Sequence, residues 1–240
     1  VESRWGRSRA VKVEEKRRET REDVGVCGSK DAQVRSRVAY ANGLFQVVWQ
    51  DSRNLYPKGF DLYGAQLDST GQLKTSTEGE AIITRSGNQS VPDLAFDGTH
   101  WVLVWQDDRN KDAKGSDLYM ARLGHSQAKP KGSDAEGVVV YSGAEDQRNP
   151  AVACNPKAGK CLVVWTDARH KTKLDPGDIF AARVDVSTFK VLDPKGVPLA
   201  KSSKWHDFVA VTAQGSAFVA AWSTYIQIDQ GMVEAALVVP

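Results

Sequence analysis

Three copies of an Asp-x-Arg motif carry the polar side chains best suited to chemistry. The motif residues are Asp51 and Arg53, Asp107 and Arg109, and Asp167 and Arg169. A second aspartate follows each copy further along the chain, as Asp61, Asp117 and Asp178. We expect the first Asp to cap backbone N–H groups of a turn, and the Arg to form a forked ion pair with the second Asp. Because an active site needs such a group only once, the recurrence predicts a structural role. The alternative is one equivalent ligand pocket per copy.

The loop that begins at Asp108 has alternating oxygen side chains, continued by Asn110 and Asp112, as a calcium loop does. Its glycine comes late, at Gly115, and no bidentate glutamate follows at the required position. We therefore expect a solvated acidic loop and no cofactor, with calcium as the alternative. The histidines lack metal-ligand spacing, and no nucleophile elbow, phosphate loop or Cys-x-x-Cys motif occurs. The sequence thus shows no catalytic constellation.

The tryptophans divide into a repeated set and an irregular set. The repeated set stands at one position of each repeat unit, beside small or branched apolar residues, as Trp49, Trp105, Trp165 and Trp222. This position predicts core packing. Trp5, Trp101 and Trp205 fall outside the pattern, and we expect them to be the more exposed aromatics. Since aromatic faces stack on sugars, Trp101 and Trp205 are candidate ligand-binding residues.

The Asp-x-Arg motif lies within a longer internal repeat. It closes apolar segments at 45–53, 101–109 and 161–169, and a degenerate fourth copy lies at 218–225. Short V/L-A-Y/F segments precede these, with hairpin signals at Asn42-Gly43 and Asp97-Gly98. Segments of the type D-L/I-Y/F-x-A follow at 61–67, 117–123 and 178–184, and a further apolar piece ends each unit. Each unit therefore predicts about four short strands.

Four strands per unit predict an all-β fold, a β-propeller built of four-stranded blades. We place the repeats at about 33–88, 89–146, 147–204 and a degenerate 205–240, within a repeat region of 31–240. Two architectures fit: a small closed four-bladed propeller, or part of a larger propeller completed by further polypeptide. In the first, residues 23–27 supply the outer strand that the last unit lacks.

These units resemble the tandem VVWxDxR, DIYxARV and QxxPxVA repeats of secreted and surface bacterial proteins. The resemblance covers residues 33–200 well and 205–240 poorly. It implies a β-propeller and says almost nothing about function. The chain lacks the Asp-box of sialidases and the signature of WD40 blades.

Residues 1–30 form a separate N-terminal segment, rich in charge up to residue 23. Arginines and lysines interleave there with glutamates, which predicts a solvated tail or a segment that orders against a partner. The net charge of the chain is +2, and no concentrated basic field is evident. We therefore expect no nucleic-acid partner. No apolar stretch is long enough to span a membrane.

The cysteines indicate the compartment. Cys154 and Cys161 flank a turn-rich segment between two apolar runs, so a hairpin would bring them within disulfide distance. Two reduced thiols are the alternative. A disulfide predicts an oxidising location, either extracellular or periplasmic and at the cell surface. Cys27 is left without a partner in this pairing.

Three function classes remain. The first is a non-enzymatic propeller module for protein–protein binding or scaffolding, whose partner is another protein or a further propeller chain. The second is a carbohydrate-binding propeller with repeated weak sites. The third is a glycoside hydrolase or lyase, which would place polar residues unique to one unit at the channel mouth. We expect the first.

Overall fold

The computed structural model describes residues 9–11, 23–111, 115–127, 129–130, 132–170, 177–227 and 230–239. Its strands are β1 (Arg9–Val11), β2 (Asp23–Gly25), β3 (Gln33–Ala41), β4 (Leu44–Asp51), β5 (Asp61–Asp68), β6 (Glu80–Ile83), β7 (Gln89–Phe96), β8 (Trp101–Asp107), β9 (Asp117–Leu123), β10 (Val138–Tyr141), β11 (Gln147–Asn155), β12 (Lys160–Asp167), β13 (Asp178–Asp185), β14 (Val197–Ala200), β15 (Trp205–Gln214), β16 (Ala217–Gln227) and β17 (Gln230–Val238). Within these described ranges, helical structure is limited to α1 (Leu55–Lys58) and 3₁₀ turns at Gly132–Glu136 and Pro156–Ala158. The described residues include no helix with the length and apolar character that crossing a membrane requires.

The strands form antiparallel sheets in chain order, which we call blades. Blade 1 comprises β3–β6, blade 2 β7–β10, blade 3 β11–β14, and blade 4 the three strands β15–β17. The first strand of each blade, its inner strand, lies beside the inner strand of the next, so that β3, β7, β11 and β15 follow one another around an axis. This is the predicted all-β propeller, and the fold prediction is confirmed.

Apolar packing between successive blades forms the core. The repeated tryptophans are buried as predicted, with exposed fractions of 0 % for Trp49, Trp105 and Trp165 and 5 % for Trp222. Three apolar clusters fill the interfaces between blades 1 and 2, blades 2 and 3, and blades 3 and 4. Because each blade buries both faces only against neighbours, stability depends on how many neighbours it has.

Every inner strand contains a bulge at the same position of the repeat. The pairing register with the second strand shifts there in all four blades. Each bulge holds a non-glycine residue with positive φ, namely Arg35, Val91, Asn149 and Phe208. Such a backbone is unfavourable for Arg, Val and Phe, though less so for Asn, and its repetition shows that the blade architecture imposes it. The bulge redirects the side chains on either side of it.

Residues 23–27 do not supply the outer strand of blade 4, as the first of the two expected architectures requires. Strand β2 pairs with β1, and among the described strands β17 pairs only with β16. Val26 and Cys27 pack instead on blade 1, against Trp49 and Tyr63. The reason is geometric: blade 4 and blade 1 do not lie side by side as the internal pairs of blades do, so one strand cannot serve blade 4.

A disulfide joins Cys154 and Cys161, which confirms the predicted bond. The two residues face each other across the β11–β12 hairpin. The turn between these strands is held by Asn155, whose side-chain oxygen accepts a hydrogen bond from the Ala158 backbone N–H. Cys27 is a free, buried cysteine.

Candidate functional site

The Asp-x-Arg motif forms a closed hydrogen-bonded unit, best seen in blade 2. The buried Asp107 carboxylate accepts hydrogen bonds from Trp105 Nε1 (2.8 Å) and from Arg109 Nε (2.9 Å) and Nη2 (2.7 Å). It also caps the Arg109 backbone N–H. Arg109 lies over the Tyr119 ring at 4.1 Å and donates to the Glu136 carbonyl. The motif thus ties the core tryptophan to two loops.

The same unit recurs in blades 1 and 3. Asp51 and Asp167 accept hydrogen bonds from Trp49 and Trp165, and from Arg53 and Arg169, in the same pattern. The Arg therefore forks onto the first aspartate of its own motif, and our expectation that it pairs with the second aspartate is wrong. A bidentate contact two residues away requires no loop to fold back.

The second aspartates are bound differently. They are buried, and each accepts a hydrogen bond from a side chain in the connecting loop: Asp61 from Asn54, Asp117 from Asn110, and Asp178 pairs with His170. Each leaves one carboxylate oxygen without a hydrogen-bond partner in the structure. Burial raises the pKa of Asp61, against the lowering effect of Asn54. Burial also opposes ionisation of Asp51, but the hydrogen bonds from Arg53 and Trp49 lower its pKa overall.

These contacts determine what the repeated motif can do. The carboxylates of Asp51, Asp107 and Asp167 have no exposed surface, and the arginines are engaged by backbone carbonyls and aromatic rings. A ligand could not reach the carboxylates without opening the loop, and the arginine side chains are only 16–19 % exposed. The geometry therefore gives the motif a structural role in every blade that carries it.

The two irregular tryptophans have opposite environments. Trp101 is fully buried, stacks on His125 and donates from Nε1 to the His125 carbonyl, so the expectation that it is exposed is wrong. Trp205 is 45 % exposed and contacts Tyr225. Trp5 lies outside the described residues. Trp205 therefore remains the accessible aromatic candidate.

The acidic loop of blade 2 also has internal partners. Asp108 accepts hydrogen bonds from Ser116 Oγ (2.6 Å) and Asn88 Nδ2 (2.9 Å), and pairs with Lys111. Its oxygens are thus used within the protein. Asp112 lies outside the described residues. Among the residues that are described, no group of three or more His, Cys, Asp or Glu side chains is arranged to hold a metal ion.

A second group of polar side chains lies close to the bulges, four of them on inner strands and one, Thr166, on the adjacent strand β12. We call it the axial polar cluster and define it by its members Arg37, Asp93, Asn149, Thr166 and Asp207. Arg37 Nε lies 3.4 Å from Asp93 Oδ1, across blades 1 and 2. Asn149 Nδ2 and Thr166 Oγ1, both in blade 3, donate to Asp207 Oδ1 of blade 4 at 2.7 and 3.0 Å. These side-chain contacts link blade 1 to blade 2 and blade 3 to blade 4.

Asp93 is held by contacts with both neighbouring blades. Its Oδ2 accepts a hydrogen bond from the Val152 backbone N–H at 2.8 Å, on the inner edge of blade 3. Its side chain is 21 % exposed. Burial raises the pKa of Asp93, while the Val152 N–H and Arg37 act in the opposite direction. A carboxyl group that retains its proton above the ordinary range can serve as a general acid.

Our sequence analysis missed the axial polar cluster because it followed what the units share. Aligned by strand register, the position of Asp93 holds Arg37 in blade 1, Ala151 in blade 3 and Ala210 in blade 4. The cluster residues therefore differ from unit to unit. The available signal was this variation itself, at inner-strand positions where one unit alone carries a carboxylate.

Two surface cavities lie away from the cluster. The larger, about 360 Å³, is lined by the β11–β12 and β15–β16 turns, including Asn155, Lys157 and Gln214, at the opposite ends of the inner strands from the bulges. The smaller, about 180 Å³, lies between blades 3 and 4 beside Arg183 and Val238. Few polar side chains lie together in either cavity. We therefore regard the axial polar cluster as a better candidate for a chemical site than either cavity.

Comparison of the sequence with protein-family models and with curated proteins finds no match. The fold, however, is shared with solved enzymes. An endo-arabinase from Bacteroides thetaiotaomicron superposes with a TM-score of 0.56 at 12 % identity, over 92 % of this chain and 81 % of that one. An α-L-arabinofuranosidase from Lactobacillus brevis gives 0.52 at 11 % identity, over 90 % and 78 %. A thermostable family-43 glycoside hydrolase gives 0.54 at 9 % identity, over 88 % and 70 %.

These similar structures are five-bladed β-propeller enzymes. At such low identity the likeness establishes the fold. It nevertheless overturns our expectation of a non-enzymatic protein-binding scaffold, because the solved propellers that share this architecture are glycoside hydrolases. The alternative of a carbohydrate-active propeller accounts better for these findings.

Proposed function

We propose that this protein is a carbohydrate-active propeller that binds a glycan chain at the axial polar cluster and hydrolyses a glycosidic bond there. The observation that carries the proposal is that unit-specific polar side chains, Asp93 among them, contact one another between neighbouring blades beside the inner-strand bulges. The shared fold of glycoside hydrolases supports it. Sugars, which offer many hydroxyl groups, are suited to a site that combines carboxylate, amide, hydroxyl and guanidinium groups.

Glycoside hydrolysis uses two carboxyl groups with different protonation states. One donates a proton to the leaving oxygen, and the other acts as base or nucleophile on the sugar. In our proposal Asp93 is the proton donor, because burial raises its pKa. Asp207 is the second carboxylate, oriented by Asn149 and Thr166 through Oδ1, which leaves Oδ2 for substrate or water. Arg37 positions Asp93.

The proposed location is outside the cytoplasm, either extracellular or periplasmic. The Cys154–Cys161 disulfide supports an oxidising compartment. The resemblance of the repeats to those of secreted and surface bacterial proteins agrees with it. Large glycans are found in the same compartments.

The test measures reducing-sugar release from arabinan and from β-1,3-galactan, together with binding of the same polymers by affinity electrophoresis. We expect release by the unaltered chain and a loss of about 10²–10⁴-fold in Asp93→Asn and Asp207→Asn. The matched control is Asp185→Asn, a turn aspartate at the far end of β13 whose change should leave activity intact.

The remaining outcomes are decisive. Binding that disappears in Asp93→Ala, without any bond cleavage, would replace hydrolysis by a lectin-like function at the same site. If neither polymer is bound nor cleaved, and the far-ultraviolet spectrum shows a folded chain, the carbohydrate proposal is wrong for these substrates and their class.

A further inference from the structure

The inner strand of blade 4 begins with a different residue from those of the other blades. In blades 1 to 3 a buried glutamine pairs in register with the motif aspartate, and its amide donates to backbone carbonyls of the preceding loop: Gln33, Gln89 and Gln147. Blade 4 has His206 there, paired with Thr224. His206 is 2 % exposed and contacts two side-chain hydroxyl groups. An amide is thus replaced by a group that can take up and release a proton.

Four side chains form a continuous chain of hydrogen bonds, which we call the blade 4 relay: Ser202, His206, Thr224 and Glu234. Ser202 Oγ lies 2.9 Å from His206 Nε2, and His206 Nδ1 lies 2.9 Å from Thr224 Oγ1. The Thr224 hydroxyl donates to Glu234 Oε2, which lies 4.0 Å from His206 Nδ1. The relay therefore runs from an exposed serine through a buried histidine to a half-buried carboxylate.

The charge of Glu234 determines the direction of the hydrogen bonds in the relay. The hydrogen bond from Thr224 lowers the pKa of Glu234, so this carboxylate is ionised at neutral pH and only accepts. Thr224 gives its proton to Glu234, and its oxygen accepts from Nδ1–H of the neutral His206 ring. In this tautomer Nε2 has a lone pair directed at Ser202 Oγ. Ser202 Oγ accepts from the Lys204 backbone N–H at 3.1 Å, which leaves the serine proton for His206.

This geometry is that of an activated nucleophile. A serine hydroxyl is a weak nucleophile until a base within hydrogen-bonding distance takes its proton, and a third group must hold that base in one tautomer. Ser202, His206 and the Thr224–Glu234 pair meet these requirements in turn. Because the Thr224 hydroxyl separates the histidine from the carboxylate, the charge of Glu234 acts over a longer distance. We therefore expect a slower reaction than a direct histidine–carboxylate pair would give.

Anchoring of the core tryptophan in blade 4 explains only part of the relay. Trp222 Nε1 donates directly to Glu234 at 3.3 Å, so this anchor requires neither His206 nor Ser202. A glutamine would fix the preceding loop as it does in the other blades. The exchange for a histidine that faces a hydroxyl group adds a base and a nucleophile to the same place.

The surroundings of Ser202 indicate which acyl groups it could accept. Ser202, Lys204 and Trp205 are all exposed, so the hydroxyl lies on an open surface. The two cavities described above are lined by other residues. An open surface gives a long acyl chain little to pack against, whereas a short acyl group needs no enclosed pocket.

We propose that Ser202 is the nucleophile of a second reaction, the hydrolysis of carboxylic esters with short acyl groups, separate from glycoside hydrolysis at the axial polar cluster. Ser202 Oγ attacks the acyl carbon while its proton passes to His206 Nε2. The bond from that carbon to the alcohol oxygen breaks, and the alcohol leaves with the proton. Water then attacks the acyl-serine with His206 as base, which releases the carboxylic acid and restores Ser202. Ester and water are the reactants, and acid and alcohol are the products.

The first test uses a fluorophosphonate, which forms a bond from phosphorus to an activated serine oxygen and loses fluoride, together with hydrolysis of p-nitrophenyl acetate. We expect peptide mass spectrometry to find the label on Ser202, and the unaltered chain to hydrolyse the ester faster than Ser202→Ala. Ser203→Ala is the matched control, because Ser203 is an exposed neighbour outside the relay. It should keep both the label and the rate. Neither measurement involves a glycan, so this proposal and the glycosidase proposal can fail separately.

Two further variants test the groups behind the serine. His206→Gln restores the residue of the other blades, so it should fold, and it removes the base. Labelling rate and kcat should therefore fall by at least about 10²-fold. Glu234→Gln keeps an oxygen that accepts from Thr224 and Trp222 but removes the negative charge. It should lower kcat by about tenfold with KM unchanged, a separation that a merely structural role for Glu234 would not produce.

Three results, each with a far-ultraviolet spectrum that shows a folded chain, would overturn the proposal. The first is an unaltered chain that is not labelled at Ser202 and is no faster than Ser202→Ala. The second is labelling of Ser202 at the full rate in His206→Gln, because the histidine then does not activate the serine. The third is an equal loss of labelling in Ser203→Ala, which would assign the effect to the loop as a whole.

Discussion

Two sets of buried or half-buried polar residues in this protein behave in opposite ways. The Asp-x-Arg unit is repeated in three blades with nearly the same distances, and its groups satisfy one another. The axial polar cluster occurs once, and each of its members comes from a different repeat position or carries a residue that the other blades lack. Repetition thus accompanies groups that satisfy one another, whereas the groups that we propose to be functional lie where the units depart from the repeat.

Blade 4 shows how the structural unit survives sequence divergence. Thr224 stands where the other blades have the motif aspartate, so the Trp222 indole would lose its acceptor. Glu234, on the neighbouring strand, accepts from Trp222 Nε1 at 3.3 Å and also bonds Thr224. The Thr224 hydroxyl also contacts His206, which replaces the inner-strand glutamine. The tryptophan is anchored by different residues for the same physical reason.

The largest expected effect is a difference between the two sets in how much stability a substitution removes. Asp107→Ala removes an acceptor of four hydrogen bonds and leaves the Arg109 charge and the Trp105 N–H unpaired. We expect a loss of about 3–5 kcal/mol in the free energy of unfolding, measured by urea denaturation. Asp93→Ala should cost about 1 kcal/mol or less, since its site is partly solvated.

Asp31→Ala serves as the control for this pair, because Asp31 is exposed. It should change the unfolding free energy by less than about 0.5 kcal/mol. Equal losses in Asp107→Ala and Asp93→Ala would remove the distinction between a structural and a functional set.

The next effect tests a feature that one blade alone carries. The Cys154–Cys161 disulfide occupies the register at which blade 2 has Phe96 and Trp101. Replacing both cysteines by serine opens a short loop, and chain entropy predicts a loss of about 2 kcal/mol. Reductant should lower the unfolding free energy of the unaltered chain by the same amount in urea denaturation. It should leave the unfolding free energy of the double variant unchanged. If reductant still destabilises the double variant, the destabilisation does not come from this disulfide.

A smaller effect is the pH dependence of stability. The pKa of Asp93 is raised by burial, so the folded chain holds this proton to a higher pH than the unfolded chain. Its contribution is fully present below the ordinary aspartate pKa of about 4 and is lost as pH rises through the folded value. The unfolding free energy of the unaltered chain, relative to Asp93→Asn, should therefore fall as pH rises above about 4.

Asp193 should show the opposite sign. Its hydrogen bonds with Arg183 lower its pKa, so it stabilises the fold above the ordinary aspartate value and loses this effect as pH falls. The unaltered chain, relative to Asp193→Asn, should thus gain stability as pH rises towards the ordinary aspartate pKa of about 4 and stay level above it. The two variants share one measurement and one buffer series. Parallel rather than opposed slopes would contradict the assignment.

Repetition also explains how much of this molecule the sequence could predict. Blade number, strand order and the core tryptophans follow from aligned units, because each position is tested several times. Trp101 was misjudged because it was compared with the motif tryptophans instead of with Phe45 and Phe218, which share its register. Asp93 could not be found by aligning what the units share, because it is marked only by its departure from the repeat, where the other blades have Arg37, Ala151 and Ala210. Likewise, the Arg53 fork onto Asp51 depends on rotamers that spacing alone leaves open.

The smallest expected effect concerns the exposed tryptophan beside the axis. Trp205 begins the inner strand of blade 4, next to Asp207 of the axial polar cluster, and is 45 % exposed. Trp205→Ala should cost less than about 1 kcal/mol in unfolding free energy but should weaken glycan binding, since an aromatic face stacks on sugars. Trp101→Ala, at a buried site, should cost about 3–5 kcal/mol. Affinity electrophoresis beside urea denaturation separates the two, and a Trp205→Ala chain with full glycan affinity would confine the binding site to the polar residues.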